Sequence, residues 1–152
     1  MKVALNILGL TQFYDGDFGG VLEAAKQADA MGIDQVVLGE HVALIEEGIA
    51  RYPRGTFAYP LDYPYYEPIT ALAAIAAVTR RIRLSTNVLV SPLRPAVLLA
   101  RQMATLDLVS SGRVELAFGA GWHREEFEAV HADFDRRFAY MDEQVCACRA
   151  AW

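Results

Sequence analysis

Hydrophobic residues fall along this chain in short blocks that alternate between two periods. Val3 to Leu8 is an apolar run broken only by Asn6 and ended by Gly9, the pattern of a buried strand. Gly19-Gly20 opens a segment in which Val21, Ala25 and Ala28, with Leu22 and Met31, recur at helical spacing until Gly32 offers a natural stop. Gln35-Val36-Val37-Leu38, closed by Gly39, predicts a second buried strand. Pro68 suits the first turn of a helix that presents Leu72, Ile75, Ala76 and Thr79 on one face. Arg83 to Val90 reads as a third strand, ended by Ser91-Pro92. Pro95 begins a helix with Val97, Ala100, Ala104 and Leu108 on one stripe and Leu99, Met103 and Leu106 beside it, and Ser110-Ser111-Gly112 stops it. Val114 to Gly119 is a fourth strand. A short helical piece, Arg124 to Val130, leads to a last helix in which Phe138, Met141, Val145, Cys148 and Trp152 recur at three- and four-residue steps.

Strict alternation of strand and helix implies a parallel sheet with helical crossovers. Two architectures fit: an open doubly wound sheet, or part of a (β/α)₈ barrel. A complete barrel takes roughly 250 residues, so 152 residues with four units predict the amino-terminal half of one, with residues 1–152 as a single piece of that domain. One segment escapes both periods. Glu40 to Glu67 is rich in Tyr and Pro (Tyr52-Pro53, Tyr59-Pro60, Tyr63-Pro64), and a connection this long in a compact domain is usually a lid or binding loop.

Composition narrows the function classes. The hydrophobic share of 54% lies above the roughly 45–50% usual for soluble chains, so some apolar surface is expected to meet a partner or the remainder of a barrel. Half a barrel exposes strand edges that closure would abolish, which predicts a homo-oligomer. A net charge of −5 without any Lys/Arg cluster argues against nucleic acid as a partner. No apolar stretch approaches the ~20 residues of a membrane helix, and Met1 to Asn6 turns polar too soon for a signal peptide. Cys146 and Cys148, two apart, form neither a redox motif nor a zinc half-site and read as free thiols of a cytoplasmic protein. His41, His123 and His131 show no metal-building spacing.

Candidate chemistry falls after strands rather than before them. Glu40-His41 follows the second strand, Asn87-Val88 lies late in the third, and Gly119-Ala120-Gly121-Trp122 closes the fourth. In both α/β architectures ligands lie at this carboxyl edge. Glu40-His41 suits proton transfer, because histidine titrates near neutrality; a surface pair at a loop start is the alternative. Gly119 and Gly121 let a ligand approach the backbone, or simply make a tight turn. The pair lacks the third glycine of a dinucleotide fingerprint. Trp122 and the loop tyrosines either line a flat pocket or cap the barrel mouth. His123, Arg124, Glu125 and Glu126 read as a solvated first turn, and His131 as a surface residue.

Taken together, four stretches resemble the luciferase-like monooxygenase family of flavin- and deazaflavin-dependent oxidoreductases. They are Val37-Leu38-Gly39-Glu40-His41; Thr79 to Val88; Pro92 through Arg113; and Gly119-Ala120-Gly121-Trp122 through Ala129, with the helix that follows. The resemblance covers nearly the whole chain. It implies a (β/α)₈ barrel, hydride transfer at a coenzyme's N5/C5 region, and a small organic substrate. His41 would be a proton donor or hydrogen-bond partner beside the coenzyme ring, with Glu40 next to it. Asn87-Val88 would match the bulge where family members carry a non-prolyl cis peptide that backs the ring. Gly119, Ala120 and Gly121 would flank the coenzyme. The Pro- and Tyr-rich loop most resembles the subgroup using coenzyme F420, with FMN as the alternative. Three departures stand out: Asn87 replaces a small residue, Ala117-Phe118 replaces Gly-Val, and His131 replaces a glycine. A reading of another class is a truncated, non-catalytic binding or assembly subunit, which the sequence following Trp152 would separate from a barrel fragment.

Overall fold

The computed structural model describes residues 1–152. Its main sheet holds β1 (Ala4–Asn6), β2 (Gln35–Leu38), β3 (Arg83–Thr86) and β5 (Val114–Glu115), all parallel and neighbours in that order. A second parallel pair, β4 (Leu89–Val90) with β6 (Phe118–Gly119), continues the third and fourth strands toward their carboxyl ends. Strand order follows chain order without reversal, as in a barrel wall and unlike a doubly wound sheet, whose order reverses at a switch point. The fold is α/β, with four βα units of a barrel in place.

The helices are α1 (Ile7–Phe13), α2 (Phe18–Met31), α3 (Glu46–Ile49), α4 (Pro68–Val78), α5 (Ala96–Ser110), α6 (Arg124–Ala129) and α7 (Arg137–Ala151). Local chemistry sets their ends. Asp17 caps α2 by accepting from Gly19 N and Gly20 N at 3.0 and 3.1 Å, and Gly32, at φ +82°, ends it. Glu67 caps α4, with Pro68 in the first turn as expected. The principal core joins Val21, Ala25 and Ala28 of α2, Val36 and Leu38 of β2, Leu72, Ile75 and Ala76 of α4 and Leu84 of β3, so α2 and α4 pack the faces that their periodicity predicts.

The structure corrects three expectations. The first strand does not reach Leu8: the Asn6 side chain accepts a hydrogen bond from Leu8 N at 3.0 Å and starts α1. In α5 the buried stripe is Leu99, Ala100, Met103 and Leu106, whereas Val97 and Leu108 are 82% and 81% exposed. In α7 the buried residues are Gln144 and Cys148, while Phe138 and Trp152 lie open. Gln144 turns inward because its Nε2 donates to the Ser91 and Arg94 carbonyls at 3.0 and 2.6 Å.

Arg113 ties the amino-terminal side of the wall together. Its guanidinium donates to the carbonyls of Ala76, Thr79, Ile82 and Ser110 and to Thr79 Oγ1, at 2.6 to 3.2 Å. It thereby satisfies the carboxyl ends of α4 and α5, which helical bonding leaves unpaired. No helix is long and apolar enough to cross a membrane.

Candidate active site

Where β3 gives way to β4, the Asn87-Val88 peptide is cis. Beside it, Gly119 leaves no room for a side chain, because a Cβ there would overlap the Val88 side chain. Gly121, at φ +80°, turns the chain into α6, and a Cβ there would meet Val90 Cγ1 at 2.7 Å and Phe127 Cε2 at 2.9 Å. These two glycines let the β6 end lie directly against the β3–β4 bulge.

A cavity of about 360 Å³ opens here, at the carboxyl ends of the strands. Glu40, His41, Asn87, Val88, Gly119, Ala120 and Gly121 all line it, so the residues singled out from sequence converge on one place. The long loop closes over them with Tyr52, Phe57, Tyr59 and Tyr65, and Trp122 joins from the other side. These rings pack mainly edge to face, with Tyr52–Trp122 centroids 5.0 Å apart and Tyr59–Tyr63 centroids 4.6 Å apart. His41 sits among them, 5.1 Å from the Tyr65 ring, 5.3 Å from Phe57 and 5.7 Å from Trp122. Burial and neighbouring tyrosines push the Tyr65 hydroxyl well above its ordinary value, so it stays protonated.

Glu40 and His41 are adjacent in sequence but differ in environment. The Glu40 carboxylate accepts from Val90 N at 2.6 Å and pairs with both terminal nitrogens of Arg94. Arg94 also reaches Glu67, the cap of α4, at 3.5 Å. Burial raises the Glu40 carboxyl above its usual value, and the bonds from Arg94 oppose that rise. Glu40 therefore pins the bulge to the wall. His41 is held by Glu126, a residue the sequence pattern placed in a solvated turn. That expectation is corrected: Glu126 is 1% exposed, and its carboxylate accepts from Val42 N at 2.6 Å and Ala43 N at 3.3 Å, with His41 Nδ1 at 3.2 Å. His123, read as part of the same turn, is also 1% exposed. His123 is the N-cap residue of α6 and Glu126 lies in its first turn, and their spacing of three was the available signal. His131 is exposed as expected and lies at φ +57°, in the left-handed region that favours glycine.

Over residues 4–152 the sequence matches the family described as luciferase-like monooxygenase. The chain belongs to that family. It is 33% identical over 132 residues to the uncharacterized protein Rv0953c of Mycobacterium tuberculosis, an alignment covering 85% of this chain and 47% of that protein. The chain thus spans about half the length of the curated relatives it matches. Among solved structures, the monooxygenase RslO1 from Streptomyces bottropensis superposes with a TM-score of 0.73 at 30% identity, over 98% of this chain and 42% of the other. The oxygenating constituent of 3,6-diketocamphane monooxygenase from Pseudomonas putida, in complex with FMN, gives 0.73 at 21% identity (100% and 39% covered). The coenzyme F420 dependent tetrahydromethanopterin reductase of Methanopyrus kandleri gives 0.57 at 19% (88% and 30% covered). At those identities the last two bear on the fold alone, and the fold they share is the barrel wall described above.

Proposed function

We propose that this chain forms the ring-binding wall of a flavin-type oxidoreductase. The carrying observation is the convergence of His41, Asn87-Val88 and Gly119-Ala120-Gly121 on one cavity roofed by aromatic rings. Ligand pockets of roughly 300–1,000 Å³ are usual, so a cavity of about 360 Å³ takes a planar tricyclic ring and leaves the coenzyme's phosphate-bearing tail to groups elsewhere in a complete barrel. The donor set fits a ring: exposed backbone, apolar faces and one imidazole.

A bound flavin-type coenzyme would supply hydride chemistry at its N5/C5 region. The chain's own residues do the rest. Val88 and the Gly119–Gly121 backbone would hold the ring, and the loop aromatics would exclude water from it. His41 faces the cavity and would donate or hold a proton there, while Glu126 fixes its Nδ1. Glu40 acts through Arg94 and Val90, as a positioning residue and not as a proton donor.

The Pro- and Tyr-rich loop favours F420 as the coenzyme. FMN is the second reading, favoured by the FMN complex among the structures of like fold. The substrate is a small organic molecule, and the partner is a further copy of the chain. Titrating the chain with each coenzyme and following absorbance tests this. F420, absorbing to the blue of FMN, should shift on binding and FMN should not; saturable binding of FMN alone overturns the F420 choice, and binding of neither overturns the proposal.

A further inference from the structure

His123 is a buried imidazole whose two ring nitrogens are sealed from solvent, and neither makes a well-aligned hydrogen bond, the Ala43 backbone being the polar group nearest to doing so. Leaving a buried polar group unpaired is costly, and each such group in a folded protein calls for an explanation. An apolar residue of the same size would pack there without that cost.

Its surroundings supply the explanation. The Glu126 carboxylate lies between two imidazoles, with His41 Nδ1 at 3.2 Å from one oxygen and His123 Nδ1 at 3.8 Å from the other. The two rings stand with centroids 6.5 Å apart. The remaining charges near His123 cancel: Glu125 approaches its Nε2 at 3.5 Å and is itself paired with Arg51 of the long loop. Tyr65, facing Glu126 from the same loop, is protonated. Gly48 of α3 packs so closely on the His123 ring that no side chain fits between them.

We propose that His123 is a positioning residue for the proton chemistry of His41: both imidazoles share the Glu126 carboxylate, and positive charge on one disfavours positive charge on the other. This rests on the reading of His41 as the cavity-facing proton donor. When His41 gives its Nε2 proton to an acceptor in the cavity, it keeps the Nδ1 proton on Glu126, and the cluster's net charge falls by one. His123 does not relay that proton, since both of its nitrogens are sealed from solvent. It acts instead through charge. Burial lowers its proton affinity, opposed by Glu126, and a charged His41 lowers it further.

Imidazole NMR of the full 152-residue chain against pH tests the coupling directly. In the wild type His123 is expected to titrate below the ordinary histidine range. In His41→Gln, which keeps a donor for Glu126, its midpoint should rise by roughly half a pH unit, the size of the interaction between two unit charges ~6.5 Å apart in a water-like medium. In Glu126→Gln it should fall. An unchanged His123 midpoint in His41→Gln overturns the proposal, as does a wild-type His123 midpoint at or above the ordinary histidine range. Circular dichroism checks that each variant folds, and the wild-type curves alone decide the matter if a variant does not. Failure of the coenzyme reading would appear separately, as absent coenzyme binding with His123 still coupled to His41.

Discussion

The Nδ1 atom of His41 lies 3.2 Å from Oε1 of Glu126, a residue 85 positions further along the chain. That contact crosses from the end of β2 to the inner face of α6. It makes the loop start, the cavity-facing imidazole and the fourth βα turn one unit. The same carboxylate also receives the backbone N–H groups of Val42 and Ala43. Replacing Glu126 with Ala should cost roughly 3 kcal/mol, because buried donors to a charged acceptor lose their partner. Glu126→Gln should cost less than half as much. Urea denaturation of the three proteins checks the order, and equal midpoints would show that the contact does not hold the site together.

Glu40 gives a pH signature of the opposite sense to an ordinary ion-paired carboxylate. Its carboxyl is raised by burial, so the folded chain holds this proton to higher pH than the unfolded chain does. Its contribution to stability is present below the ordinary carboxylate value, falls as pH rises through the raised one, and is flat above it. Glu40→Gln should remove that slope from a plot of stability against pH. An identical slope in the variant would place the titrating group elsewhere.

Arg94→Met leaves the Glu40 charge buried without its counterion. The expected loss at neutral pH is about 3–5 kcal/mol, partly restored in the double variant with Glu40→Gln. A double-variant cycle with no coupling would contradict the pairing.

The face carrying Leu108 and Trp152, 81% and 63% exposed, borders an apolar groove of about 760 Å³ formed with Met103, Val114, Leu116 and Phe118. We expect the chain to self-associate through this face at micromolar concentration, and Leu108→Glu to weaken that association. Sedimentation velocity decides, and a monomer at every concentration would refute it.

The alternation of strands and helices, their order and the core faces of α2 and α4 were legible because the periodicity of those elements is unbroken. The first helix was not, since Ile7, Leu8 and Leu10 extend the apolar run of β1 and only the Asn6 side chain marks the change. The α5 face was assigned to the wrong stripe because Val97 and Leu108 are as apolar as Leu99 and Met103; the side that packs is set by neighbours, not by composition. Among site residues, those following strands were legible from topology. Glu126 and His123 were not, because acidic residues in a helix's first turn are ordinarily solvated, and here the turn is buried under the loop that contains Gly48.

The central claim is that the strand-end cavity holds a flavin-type ring. Lumiflavin, the ring without ribityl or phosphate groups, probes that wall alone, and its fluorescence can be titrated with the wild-type chain and with Ala120→Trp, which fills the cavity. The account predicts saturable quenching by the wild type and its loss in Ala120→Trp. No saturable quenching by the wild type, or equal quenching by both proteins, would contradict it.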